Sequence, residues 1–93
     1  MTSNDMHWDD LRIFLAVARS ESLSGAGKIL RVDPATVGRR IARLEERLGT
    51  PLFAKSPQGY AMTDAGQRLM SHAERAEQAR AEAMSGMNEN ASA

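Results

Sequence analysis

Apolar residues recur at intervals of three and four over most of this chain, with one short stretch of alternation between the third and fourth such segments. From Trp8 to Ser20, the positions Trp8, Leu11, Phe14, Leu15 and Ala18 form one helical stripe. Asp9 and Asp10 stand at the positive end of that helix. The segment SLSGAGKIL predicts a second, short helix, with Ser22 as its N-cap and Leu23, Ala26, Ile29 and Leu30 on its apolar side. Gly25 and Gly27 weaken it by about 1 kcal/mol each relative to alanine. They either permit close helix approach or are simply tolerated, and the pattern does not choose. Arg31-Val32-Asp33 leaves room only for a tight turn, with Val32 expected in the core.

The third segment carries the strongest signal. Asp33 reads as an N-cap, Pro34 as the first helical residue and Gly49 as the left-handed stop. Between them Val37, Ile41, Leu44 and Leu48 form an apolar stripe. At about 100° per residue, Thr36, Arg39, Arg40, Arg43 and Arg47 fall within an arc of roughly 100° off that stripe. Glu45 and Glu46 lie outside the arc, whereas a merely solvated face would interleave acids with the arginines. Two short helices at such close spacing, the second with a cationic outer face, make a helix-turn-helix suited to the major groove of DNA.

After Gly49 the runs PLFAK, SPQG and YAM predict strand, turn and strand, a hairpin wing. A two-stranded hairpin is marginal alone, so Leu52, Phe53 and Met62 are expected to anchor it. Thr63 then caps a long helix in which Ala65, Leu69, His72 or Ala73, Ala76, Ala79 or Arg80, and Ala83 recur at threes and fours. So thin and alanine-rich a seam suits a partner helix better than the chain's own domain. The alternative is a partly frayed helix leading into a linker. The fold class expected is mainly α: a winged helix-turn-helix at 8–62 and a linker or dimerisation helix at 63–85. Residues 1–7 read as a loose start and 86–93 as a disordered tail.

A net charge of zero conceals a segregation. Residues 1–21 stand at −2 and 56–93 at −2, while seven basic against three acidic side chains put 22–55 at +4. Attraction to a polyanion is screened within about 10 Å, so the local excess is what matters. The chain's 93 residues make one small domain. No apolar run approaches a membrane span or signal peptide, and the absence of cysteine excludes disulfides and thiolate metal sites and is compatible with a reducing cytoplasm. His7 and His72 are not in metal-ligand spacing, and no serine elbow, carboxylate pair or phosphate-binding glycine loop occurs. Neither an enzyme nor a cofactor or metal is expected. A winged-helix module binding an acidic protein partner is the competing reading.

Three motifs in order carry a resemblance: WDDLRIFLAVARSESLSGAGKIL, then VDPATVGRRIARLEERLGTPLF, then GYAMTDAG. From roughly Trp8 to Met84 the chain resembles the N-terminal DNA-binding region of LysR-type bacterial transcription regulators. That resemblance implies a third helix in the major groove, at about 34–48, and a wing, at about 51–62, on flanking backbone or minor groove. It further implies a homodimer through the linker helix on an inverted-repeat duplex DNA site, in the bacterial cytoplasm on the nucleoid, with RNA polymerase a partner of the full-length regulator. The DNA-facing set is then Ser22, Ser24, Lys28, Asp33, Pro34, Ala35, Thr36, Gly38, Arg39, Arg40, Arg43, Arg47, Lys55 and Gln58. Arg39 is the candidate for base contact, and Lys28, Arg43, Arg47 and Lys55 for phosphates. The dimerisation set is Ala65, Leu69, His72, Ala73, Ala76 and Ala83. In the family an effector-sensing domain follows the linker, and this chain ends where that domain would begin, so it reads as a DNA-binding fragment. It departs from the family at Gly38, where a serine is common, at Gly27, where alanine is, and at Lys55, where arginine is frequent.

Overall fold

Helix α1 (Trp8–Ser20) is wrapped on nearly every side, and the other elements are arranged by what they cover on it. The structure, a computed structural model, describes residues 6–92. Leu11, Ile13, Phe14, Leu15, Ala16 and Val17 are all buried, a wider band than the expected stripe. The reason is that α2 (Leu23–Leu30) and α3 (Pro34–Leu48) pack on α1, and α4 (Asp64–Ser92) packs on it as well. Of the loose start expected at 1–7, residues 1–5 lie outside the described residues. Met6 packs on the core, and the His7 carbonyl accepts the N–H groups of Asp10 and Leu11.

The Ser22 hydroxyl accepts the Gly25 N–H at 2.8 Å, as an N-cap should. Two apolar residues near the turn depart from expectation. Ile29 is 62% exposed and Val32 42% exposed. In α2 the inward face is Leu23, Ala26, Gly27 and Leu30, with Ile29 well round the helix from it. The turn is closed by the backbone alone, the Val32 N–H bonding to the Gly27 carbonyl while Arg31 takes a left-handed φ of 62°. Gly27 has a packing reason: a Cβ there would lie 2.7 Å from the Val32 carbonyl oxygen. Close approach, then, is what this glycine provides.

Helix α3 buries Val37, Ile41 and Leu44. Leu48 does not complete the stripe; it sits in the last turn, where the chain leaves through Gly49 at φ 75°, and is 37% exposed. Pro34 occupies the first turn as expected, but the Asp33 side chain makes no capping hydrogen bond although its backbone has N-cap geometry.

Strands β1 (Phe53–Ser56) and β2 (Gly59–Met62) form an antiparallel hairpin with Phe53 opposite Met62 and Lys55 opposite Tyr60. Leu52 and Phe53 are buried and Met62 is half-buried, so the predicted anchors hold the wing. Phe53 stacks on Phe14 at 5.2 Å between ring centroids. The Tyr60 N–H bonds to the Glu21 carbonyl at 2.9 Å, and a side chain at Gly59 (φ 131°) would collide with that same carbonyl.

The Thr63 hydroxyl accepts the Gly66 N–H and donates to the Pro51 carbonyl, which caps α4 and ties it to the wing. Leu69 and Ala73 are buried against the chain's own core, contrary to the expectation of a seam too thin to be used within one domain. Alanine permits the close approach of α4 to α1. Arg19 clamps Glu77 with two hydrogen bonds of 2.9 and 2.7 Å, and the Arg80 guanidinium lies over the Trp8 ring at 4.6 Å. From Gln78 to Ser85 every side chain is exposed. The backbone of α4 continues past residue 85; the tail expected at 86–93 falls, from residue 87 on, where side chains are outside those described. Among the described residues no helix is long and apolar enough to cross a membrane.

Candidate nucleic-acid interface

The core-facing stripe of α3 fixes which of its side chains look outward. Taking about 100° per residue, Arg39 and Glu46 stand nearly opposite the centre of Val37, Ile41 and Leu44, with Arg43 beside them. Gly38 and Glu45 lie toward the wing, and Arg40 and Arg47 toward α1.

Arg39 is exposed, and its guanidinium donates to the Thr36 hydroxyl at 3.1 Å, which leans it back along the first turns. Arg43 is exposed and touches no carboxylate among the described residues. The other two members of the arc are engaged: Arg40 pairs with Asp9 at 2.8 Å and Arg47 with Asp10 at 2.7 Å. Hydrogen bonds from Arg12 and then Arg40 hold the Asp9 carboxyl below the usual carboxylate range.

Around the α3 start, Ser24, Lys28, Asp33, Pro34 and Ala35 are exposed, and Thr36 is half-buried. With no side chain capping it, this helix end keeps its free N–H groups and positive dipole end accessible to an anion. Ser22 is half-buried; its hydroxyl oxygen accepts the Gly25 N–H, which leaves its own O–H proton to donate. Gly38 packs under Leu23; a Cβ there would lie 3.1 Å from the Leu23 Cδ1 atom, so a serine would require that leucine to shift. An open groove of about 290 Å³ runs between α3 and the wing, with Gly38 and Ala42 on one wall and Lys55 on the other. Lys55 and Gln58 are exposed on the wing, and His72 and Ala83 are exposed on α4.

Sequence reasoning missed the contributions of four residues. Glu45 was placed only as lying off the basic arc, yet its Oε2 accepts the backbone N–H groups of Leu52 at 2.7 Å and Phe53 at 3.3 Å, joining α3 to the wing. Asp9 and Asp10 were assigned only to the helix dipole. Arg31 adds an exposed charge beside Lys28 at the turn. The left-handed Arg31 carries no pattern signal, and the aspartates find their arginines 31 and 37 positions away.

Residues 8–67 match the family model described as the bacterial regulatory helix-turn-helix protein, LysR family. The chain belongs to the LysR family. It is 50% identical over 48 residues to the Mau operon transcriptional activator of Paracoccus denitrificans, covering 52% of this chain and 17% of that protein. It is 40% identical over 60 residues to the transcriptional regulator IlvY of Escherichia coli K12, covering 64% of this chain and 20% of IlvY. This LysR chain thus spans about a fifth of the length of such relatives. Its fold matches the crystal structure of the BenM DNA-binding domain in complex with catB site 1 DNA, with a TM-score of 0.86 at 26% identity over 95% of this chain and 99% of that one. It also matches the DNA-binding domain of CbnR in its DNA complex, with a TM-score of 0.80 at 28% identity over 92% and 99% of the two chains. The expected fold class, a mainly helical winged helix-turn-helix followed by a long helix, is met.

Proposed function

We propose that this chain reads duplex DNA as the sequence-specific part of a transcription regulator, with α3 in the major groove and the wing on flanking backbone or minor groove. The observation that carries this is the face of α3 opposite its core stripe, where Arg39 and Arg43 are exposed beside an uncapped helix end. The +4 segment from 22 to 55 supplies attraction to the backbone, with Lys28 and Lys55 flanking the helix. Relatives named as transcriptional activators and neighbours solved in complex with DNA support the same reading. The test is selection of bound duplexes from a random pool: an enriched motif is expected, and a pool that stays random contradicts sequence reading.

The protein acts as a homodimer on an inverted repeat, through the part of α4 that its own domain leaves uncovered. Ala83 and Met84 are exposed there, whereas Leu69 and Ala73 are already used inside the fold and are not available to a partner. Pairing two helices in this way sets the spacing of two reading heads and multiplies their affinity through effective concentration. The site of action is the bacterial nucleoid, and contact with RNA polymerase belongs to the whole regulator. Sedimentation of the chain at micromolar concentration tests the dimer, a monomer being the contrary result.

A further inference from the structure

Two of the four arginines on the basic arc of α3 are already held by carboxylates of another helix. Asp9 takes Arg40 at 2.8 Å and also Arg12 at 2.9 Å, and Asp10 takes Arg47 at 2.7 Å. Arg39 and Arg43 touch no carboxylate among the described residues. A carboxylate at that distance uses guanidinium N–H donors that a phosphate would otherwise take, and its charge repels an approaching phosphate. Both aspartates belong to the first turn of α1, where the positive helix end favours them; the Asp10 side chain is 14% exposed and that of Asp9 50%.

We propose that Asp9 and Asp10 are positioning residues for DNA binding: they hold Arg40 and Arg47 toward α1, withhold them from the DNA backbone and so limit sequence-independent attraction. Base reading is left to the outermost part of the arc. This rests on the reading that α3 meets the duplex. It makes the net contribution of the four arginines to counterion release smaller than their number.

The experiment compares the parent chain with Asp9→Asn, Asp10→Asn and the double variant, which remove charge at nearly constant shape. Affinity for a selected duplex and for a scrambled one is measured by fluorescence anisotropy over a series of KCl concentrations. Each freed arginine is expected to steepen the plot of log K against log salt by about one. The scrambled duplex should bind about two- to fivefold more tightly per carboxylate removed at low salt. The preference for the selected duplex should fall. Adding Arg40→Gln to Asp9→Asn should abolish that variant's gain. Thermal melting reports folding, and if Asp10→Asn does not fold, the half-exposed Asp9 carries the test alone. Folded variants with the parent's salt slope and preference overturn the proposal. Arg39→Ala and Arg43→Ala separate the two levels: if they weaken binding while the aspartate variants change nothing, only this inference fails, and if they too change nothing, the placement of α3 fails with it.

Discussion

The Glu45 carboxylate accepts the Leu52 backbone N–H at 2.7 Å, a bond that joins α3 to the wing. Leu52 is 1% exposed, so its N–H has no access to water as an alternative partner. Glu45→Ala leaves that donor unsatisfied and is expected to cost about 1–3 kcal/mol. Glu45→Gln keeps an acceptor and should cost less. Urea denaturation measures the stability, and the wing's role predicts weaker DNA binding by Glu45→Ala at temperatures where it remains folded.

The two ends of the α3 stripe should behave differently. Leu44 is 2% exposed, and Leu44→Ala is expected to cost about 2–5 kcal/mol, a large share of the stability of so small a domain. Leu48 is 37% exposed, and Leu48→Ala should cost under about 1 kcal/mol. Equal losses in denaturation would mean that the helix is seated differently.

Acid should loosen the seat of α4. The Arg19 guanidinium holds the Glu77 carboxyl below its usual range through hydrogen bonds, and Asp9 is lowered likewise by Arg12 and Arg40. A carboxyl whose folded pKa is depressed binds fewer protons folded than unfolded, so its contribution is complete above the ordinary carboxylate value and is lost as pH falls through the lowered one. These pairs are well exposed, which limits each to under about 1 kcal/mol. The melting temperature should therefore drop modestly below about pH 4, and Glu77→Gln should remove part of that drop.

Along α4, position decides the outcome of a charge. Leu69→Glu places a carboxylate among core residues and is expected to unfold the domain. Ala83→Glu meets only solvent within one chain and should leave the melting temperature near the parent's, while shifting sedimentation from dimer to monomer. A folded, monomeric Leu69→Glu would contradict the packing of α4 on α1.

Helix content and the wing were legible because their signals are local: the period of Val37, Ile41 and Leu44, the Ser22 and Thr63 caps, the Gly49 stop and the turn at Pro57 and Gly59 each act within a few residues. What failed depends on a third body. Ile29, Val32 and Leu48 are apolar and correctly spaced, yet nothing covers them enough to bury them. Leu69 and Ala73 look like a partner seam when only one stripe of α1 is counted; Ile13, Ala16 and Val17 make that helix apolar on a second side. The pairs from Asp9 to Arg40 and from Asp10 to Arg47 depend on how α1 crosses α3, which no spacing encodes. The spacing therefore offers Arg43 and Arg47 as like phosphate contacts, when Arg47, with Arg40, is engaged by an aspartate of α1.

If the outward face of α3 reads base edges, Arg39 is the side chain whose loss should show it. It is exposed, braced on Thr36 and nearly opposite the buried stripe. The decisive measurement is the affinity of Arg39→Ala, at fixed salt, for the duplex selected by the parent and for variants of it changed one base pair at a time. A loss of about 1–3 kcal/mol on the selected duplex, with preference relaxed at one position of each half-site, is the predicted result. A folded Arg39→Ala chain that binds the selected duplex as tightly and as selectively as the parent would contradict it.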